Sequence, residues 1–296
     1  MTATLVQELS AQAQEVWSPL IAMELREEIL LPGLVSKEYA GSIKQQFDTV
    51  KVSMMNQLTG AIKTIGVNHE VYTPEKVVMS QVNVVADTII DVSIELDSLI
   101  DLQTQLGSPE GKSKIRMALM NALEKKTNEY LYGKVAPSLS APDHSVAAVA
   151  TMDAAALLGN RLLASTAKWP KDVDWIGLLG PGYWNHFLSA QTLTSADFIG
   201  ADLLVPGNRN KAIKRFGFSL FEDNSDAMPV IGGTLGRNAL FFHPDWLIFV
   251  MQQDVTIKLS DLHANKQRGF LLSAEMVVGS ALNNQGSLKH IVNYQA

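Results

Sequence analysis

The alternation of apolar and polar positions changes period several times along this chain, and each change marks an element. The longest regular stretch is Ser108 to Gly133, SPEGKSKIRMALMNALEKKTNEYLYG. Ile115, Leu119, Ala122, Leu123 and Tyr130 recur at steps of three and four, which predicts one apolar helix face. Both ends carry helix signals. Ser108 suits the N-cap, Pro109 the first helical position, and Glu110 the positive end of the dipole. Gly133 suits the left-handed residue that closes a helix. At 1.5 Å per residue such a helix is about 38 Å long, a rod for a domain of this size.

Ahead of this helix the pattern is mixed. Leu5, Leu9, Val16, Leu20, Met23, Leu25, Ile29 and Leu30 keep helical spacing, and Pro19 and Pro32 divide them into two short helices. An amphipathic segment of this kind needs a cover, either its own domain or a neighbouring subunit. Val50, Val52 and Met54 then alternate with Thr49, Lys51 and Ser53, a half-exposed strand. From Asn56 to Glu75 the period is lost, with Gly60, Gly66 and Pro74 in the gap, and from Lys76 to Leu96 strand patterning returns. Two extended flanks around an aperiodic tip predict a long hairpin. Such a hairpin is marginal alone and is expected to lie against another surface. In the following strand Ile90, Val92, Ile94 and Leu96 face one side, and Asp91, Ser93, Glu95 and Asp97 the other. The acidic row raises a metal site as a reading. Alternation and the lack of an interleaved histidine place it on a solvated face.

Beyond the helix, Lys134 to Val146 carries Pro137 and Pro142 and reads as a domain boundary. Thr151 to Thr166 is a second amphipathic helix, with Met152, Ala155, Leu158, Leu162 and Leu163 as its apolar side. Trp175–Leu179 reads as a buried strand closed by Gly180-Pro181-Gly182, and Tyr183–Ala190 as a short helix. Strand signals follow at Gly217–Phe221, Ala239–Phe242 and Leu247–Val250, a mixed α/β domain. The tail is β again. Val255–Leu259 alternates, Phe270–Val278 does so with Phe270, Leu272, Ala274, Met276 and Val278 on one face, and Asn283-Asn284-Gln285-Gly286 turns into a last strand, Ser287–Val292.

Composition narrows the function. The chain has 296 residues, 47% hydrophobic and 18% charged, enough apolar matter for a packed core. Its formal net charge of −6 argues against a dedicated DNA-binding domain, though not against a protein that encloses nucleic acid. With no cysteine, thiolate nucleophiles, disulfides and Cys-ligated metal are excluded. No apolar run is long enough for a transmembrane helix, and the first residues lack the pattern of a signal peptide.

The sequence carries no recognisable catalytic motif. His69, His144, His186, His243, His263 and His290 are scattered, without metal-binding spacing, and no GxSxG elbow is present. Ser165 and Lys168 match SxxK but sit at a helix end without companion motifs. Gly232-Gly233-Thr234-Leu235-Gly236-Arg237 is neither GxGxxG nor a P-loop and reads as a loop. Arg209, Lys211, Lys214 and Arg215 form a basic cluster in a loop, either solvated or facing a neighbour's carboxylates or nucleic acid. No catalytic, cofactor-binding or metal residue is assigned.

The order of these elements resembles the major capsid proteins of tailed bacteriophages, the HK-97-like shell fold. The resemblance is carried by Val35–Lys44 with its Glu38-Tyr39-Ala40-Gly41, by Asp48-Thr49-Val50, by Phe216–Phe221, and by Ala239–Asp245, in that sequence. It implies an α+β chain with an N-terminal arm at 1–48 and an extended β-hairpin loop at 49–86. A peripheral domain at 87–146 would hold the spine helix at 108–133. An α/β axial domain would span 147–254, with C-terminal strands at 255–296 completing the sheets. It implies a non-enzymatic structural subunit, without cofactor, that self-assembles into the icosahedral capsid around a double-stranded DNA genome. The implied partners are other copies in hexamers and pentamers, a scaffolding protein and a portal. DNA would be enclosed without sequence-specific binding, and no membrane is involved. The implied location is the virion, assembled in the host bacterial cytoplasm. Some members cross-link a loop lysine to a neighbour's asparagine. Lys63 lies near the expected loop tip, but no partner asparagine aligns and no bond is assigned. Two other readings stand beside this one: an encapsulin-like compartment of the same fold, and a soluble α/β enzyme with dispersed site residues.

Overall fold

The computed structural model describes residues 29–39, 49–55, 58–59, 74–96, 109–135, 145–190, 193, 213–228, 238–261, 270–283 and 290–295. The two short helices expected within residues 1–35, as far as residue 28, the hairpin tip with Lys63, the cap Ser108, the loop 232–237 and the residues Arg209 and Lys211 lie outside them. In order the elements are α1 (Leu31–Leu34), β1 (Thr49–Met55), β2 (Met79–Val85), β3 (Thr88–Leu96), α2 (Pro109–Tyr132) and β4 (Ser145–Ala148). Then come α3 (Ala154–Thr166), β5 (Trp175–Leu179), α4 (Pro181–Ser189), β6 (Ile213–Arg215), β7 (Phe218–Glu222) and β8 (Asn238–Phe242). The chain closes with β9 (Leu247–Asp261), β10 (Phe270–Leu282) and β11 (Ile291–Tyr294).

The long helix forms where its period places it. Ile115, Leu119 and Leu123 are buried, and Ile115 and Leu119 pack on Leu272 and Ala274 of β10. Ala122 and Tyr130 are half-buried, and the inward face continues instead through Thr127, Asn128, Leu131 and Tyr132. Thr127 is accommodated because its hydroxyl donates to the Leu123 carbonyl at 2.8 Å. The helix stops at Gly133, which does not take the left-handed conformation. Two tight turns satisfy the last carbonyls, Lys134 N–H to Leu131 and Val135 N–H to Tyr132, both at 3.0 Å. They carry Val135 straight into the core, which a left-handed reversal would not.

β3, β10 and β9 form an antiparallel sheet in that order. Val92 and Ile94 join the face under α2, and Asp91, Ser93 and Glu95 are exposed. Leu247–Val250 and Val255–Leu259, read as two strands, are one. Opposite Glu275, Val277 and Val278 the register slips twice, so β9 accommodates two extra residues there. These bulges fall between the two alternating runs and break the visible pattern without ending the strand.

A six-stranded sheet runs β4-β11-β8-β5-β7-β6, with β4/β11 and β5/β7 parallel and the other pairs antiparallel. Leu157 and Ala164 of α3 and Tyr183 and Phe187 of α4 cover one face, against Phe218, Leu220, Phe241 and Ile291. Leu131 and Tyr132 of α2 with Trp246 and Leu247 cover the other, against Ile176, Leu178, Leu240, Phe242 and Val292. Covering on both sides explains why β5 and β8 are buried throughout. Leu31 and Val35 also enter this core, and Ser36 bridges to Ile248.

Four elements here differ from expectation. α3 forms, with the Asp153 side chain accepting from Ala156 N at 2.9 Å; of its expected apolar side Met152, just ahead of the helix, is buried, but the rest is turned outward. Ala155, Leu158 and Leu162 are exposed, while Leu157, Asn160 and Ala164 face in. The helix is apolar nearly all round, so period alone does not choose a side. Asn160 is drawn inward by the Asn293 side-chain oxygen on β11, at 2.5 Å. Lys214 and Arg215, expected in a loop, lie in β6, which turns into β7 through Phe216 and Gly217, both at positive φ. The last strand runs Ile291–Tyr294 rather than Ser287–Val292, and β4 occupies the end of the expected linker.

Candidate assembly surfaces

β1 and β2 pair antiparallel in unbroken register from Thr49↔Val85 to Met55↔Met79. Seven pairs at about 3.3 Å per residue make an arm about 20 Å long before its tip. At its base Val52, Val84 and Ala86 are buried with Ile248 and Val250. Toward its end the burial is lost. Met55 and Met79 close the last rung at 61% and 63% exposure, and Leu58, Val77 and Val78 are exposed beside them. Thr59 N donates to the Glu75 carboxylate at 2.6 Å and keeps the two flanks together past the strands. Each such side chain gives up about 2 kcal/mol of burial relative to a covered one. Their concentration at one end makes that end of the arm a candidate contact surface.

The outer side of α3 is a second apolar surface. Leu162 is 67% exposed, with Leu158 and Leu163 beside it, and Arg161 is the single charged residue of the helix. Met117 on α2 and Leu188 on α4 are further exposed apolar side chains. The sequence names Leu158, Leu162 and Leu163 only as an apolar helix side; the near absence of charge in AAALLGNRLLAST is the signal that more than one face is apolar.

The basic cluster is committed in part to its own chain. Lys214 pairs with the Asp174 carboxylate, and Arg215 donates through Nε to the Leu193 carbonyl at 3.1 Å. Ser165 and Lys168 form a helix end, with Lys168 N–H on the Ser165 carbonyl at 3.0 Å. Among the described residues no group of three or more His, Asp or Glu is placed to hold a metal ion. None of the described helices is long and apolar enough to cross a membrane.

Polar chemistry inside the protein serves packing. Tyr132 donates to Asp223, whose Oδ1 accepts Ser225 N at 2.8 Å, and Asn128 donates to Ser225 Oγ at 2.8 Å. Burial first, then the charge of Asp223 and their hydrogen bond, push the Tyr132 hydroxyl well above its usual range. His243 is buried, and its Nδ1 accepts Asp245 N at 3.2 Å. Its Nε2 has Asp172 as nearest carboxylate, at 3.8 Å. Burial lowers its pKa, against the opposing pull of Asp245 and Asp172. His186, His243 and His290 sit on separate segments, and His290 packs against Trp246 with ring centroids 4.9 Å apart and planes tilted by 54°.

No protein-family model and no curated protein matches the chain. Solved structures do share its fold. A chain from Mycobacterium phage Che8 matches with TM-score 0.71 at 18% identity, covering 94% of this chain and 96% of that one. The capsid structure of the cyanophage P-SCSP1u matches with TM-score 0.66 at 14% identity, covering 97% and 94%. The capsid of Ralstonia phage GP4 matches with TM-score 0.66 at 13% identity, covering 96% of each chain. The likeness is one of fold, and it extends over nearly the whole chain. This α+β protein has the fold of phage capsid subunits.

Proposed function

We propose that this chain is the repeating structural subunit of an icosahedral capsid that encloses a double-stranded DNA phage genome. The observation that carries the proposal is the β1–β2 arm, apolar and exposed toward its end, on a fold shared along its length with phage capsid chains. An arm that buries little on its own subunit gains its stabilisation on a neighbour, and many such contacts of modest strength close a shell.

In the HK-97-like scheme, residues 49–86 are the extended loop and α2 is the spine helix of a peripheral domain. The six-stranded sheet with α3 and α4 is the axial domain near the five- and six-fold axes. Residues 1–48 are a separate N-terminal arm, distinct from the β1–β2 arm. The partners are further copies in hexamers and pentamers, with a scaffolding protein and a portal. The net charge of −6 suits a wall that encloses DNA without gripping it. The subunit belongs to the virion, and it performs no catalysis.

The test is electron microscopy of the purified protein beside its mass from light scattering. Rings of five or six, tubes or closed particles are expected. A subunit that stays monomeric alone leaves a scaffold-dependent coat open. One that also gives no ordered product when co-expressed with its scaffolding protein would sink the reading.

A further inference from the structure

We propose that Gly279 is the pivot that sets the direction in which the β1–β2 arm leaves the subunit, and so which surface of a neighbouring copy the arm reaches. The consequence for the neighbour rests on the shell reading above. The pivot itself does not.

β10 alternates between two covered faces. Ala274, Met276 and Val278 point toward the α2 side, whereas Val277 and Ala281 point to the side where the base of the arm packs. Gly279 lies between those two on the arm side. The pairing of β3 with β10 ends at Thr88↔Val278, one residue short of Gly279. Only Ala86 and Asp87 separate β3 from β2, so the chain has no slack and crosses directly over β10.

A Cβ on Gly279 would lie 2.7 Å from the Val85 carbonyl carbon and 2.9 Å from Ala86 Cα, and closer still to the Val85 oxygen. All three are backbone atoms and cannot swing aside as a side chain would. Gly279 has no positive φ, so conformation is not what requires glycine here. Close approach of a second backbone is. Any side chain at 279 must lift the end of β2 by roughly 1 Å to restore ordinary contact. The arm is a lever, and a tilt at its base grows along a length of about 20 Å.

The chain has no cysteine, so introduced pairs carry spin labels cleanly. Labels at Lys76→Cys on the arm and Arg116→Cys on α2 report the arm's direction in the isolated subunit by pulsed electron paramagnetic resonance. Gly279→Ala should move the mean distance by about 3 Å or more, the displacement a small tilt makes at the end of such a lever. Ala281→Gly, on the same strand and face, should leave it in place. A folded Gly279→Ala protein with the wild-type distance overturns the proposal. Should that variant not fold, one glycine inserted between Ala86 and Asp87 supplies the missing slack and should broaden the distribution. An unchanged narrow distribution there also overturns it. In assembly reactions, variants with a redirected arm should give malformed particles or none. Wild-type protein that never assembles, alone or beside its scaffolding protein, together with a shifted arm in Gly279→Ala, would refute the shell reading and leave the pivot standing.

Discussion

Tyr132 donates a hydrogen bond from its buried hydroxyl to the buried carboxylate of Asp223, joining the last turn of α2 to the end of β7. Asp223 N in turn donates to Leu179 O at 2.8 Å, so the bond also ties the helix to the strand beside it. Asn128, one turn earlier, reaches Ser225 in the same loop. The long helix is thus held to both sheets: by Ile115 and Leu119 at one end, and by this polar contact at the other.

Removing the hydroxyl leaves a buried carboxylate with one bond fewer. Tyr132→Phe is predicted to destabilise the subunit by about 2 kcal/mol, the scale of a hydrogen bond to a charged group. Urea unfolding with an unchanged slope measures it, and a midpoint equal to wild type would show that the bond contributes nothing.

His243 predicts a pH dependence. Its folded pKa lies below the ordinary value of 6.5, so the unfolded chain binds its proton first as pH falls. The contribution to stability is fully present above pH 6.5 and is lost below it, down through the lower folded value. His243→Gln should flatten the decline in the mild-acid range. A wild-type stability that stays level from pH 7 to pH 5 contradicts this.

Leu119 is fully buried between α2 and β10. Leu119→Asp places an unpaired charge there and is predicted to cost about 3–5 kcal/mol. Thermal unfolding at the wild-type temperature would remove Leu119 from the core.

The exposed apolar residues predict the opposite separation of effects. Val78→Lys and Leu162→Lys change solvated side chains and should shift subunit stability by no more than about 0.5 kcal/mol. Val78→Lys should nevertheless abolish ordered assembly, because it puts a charge into the arm's exposed apolar end. Particles of normal size and yield from this variant would show that this end is not an assembly surface.

The sequence by itself determined those elements whose pattern is set by local backbone geometry. The helix through Leu119, the strand through Ile90 and Val92, the buried run Trp175–Leu179 and the extended flanks of the arm all follow from steps of 3.6 or 2 residues. It also excluded thiol chemistry outright, and its order of elements resembled the capsid fold that the structure has. Tertiary structure decided which sides turn inward. α3 is apolar on more than one face, so its orientation waits on Asn293, a residue 133 positions away from Asn160. Thr127 and Asn128 look like surface residues until the Leu123 carbonyl and Ser225 supply their partners. β9 reads as two strands because its bulges interrupt an alternation that only pairing with β10 sustains. Gly279 looks like an ordinary weak point in a strand until Val85 crosses over it. Period is a property of neighbouring residues and is written locally. Burial depends on what else occupies the space, and that is settled only when distant segments meet.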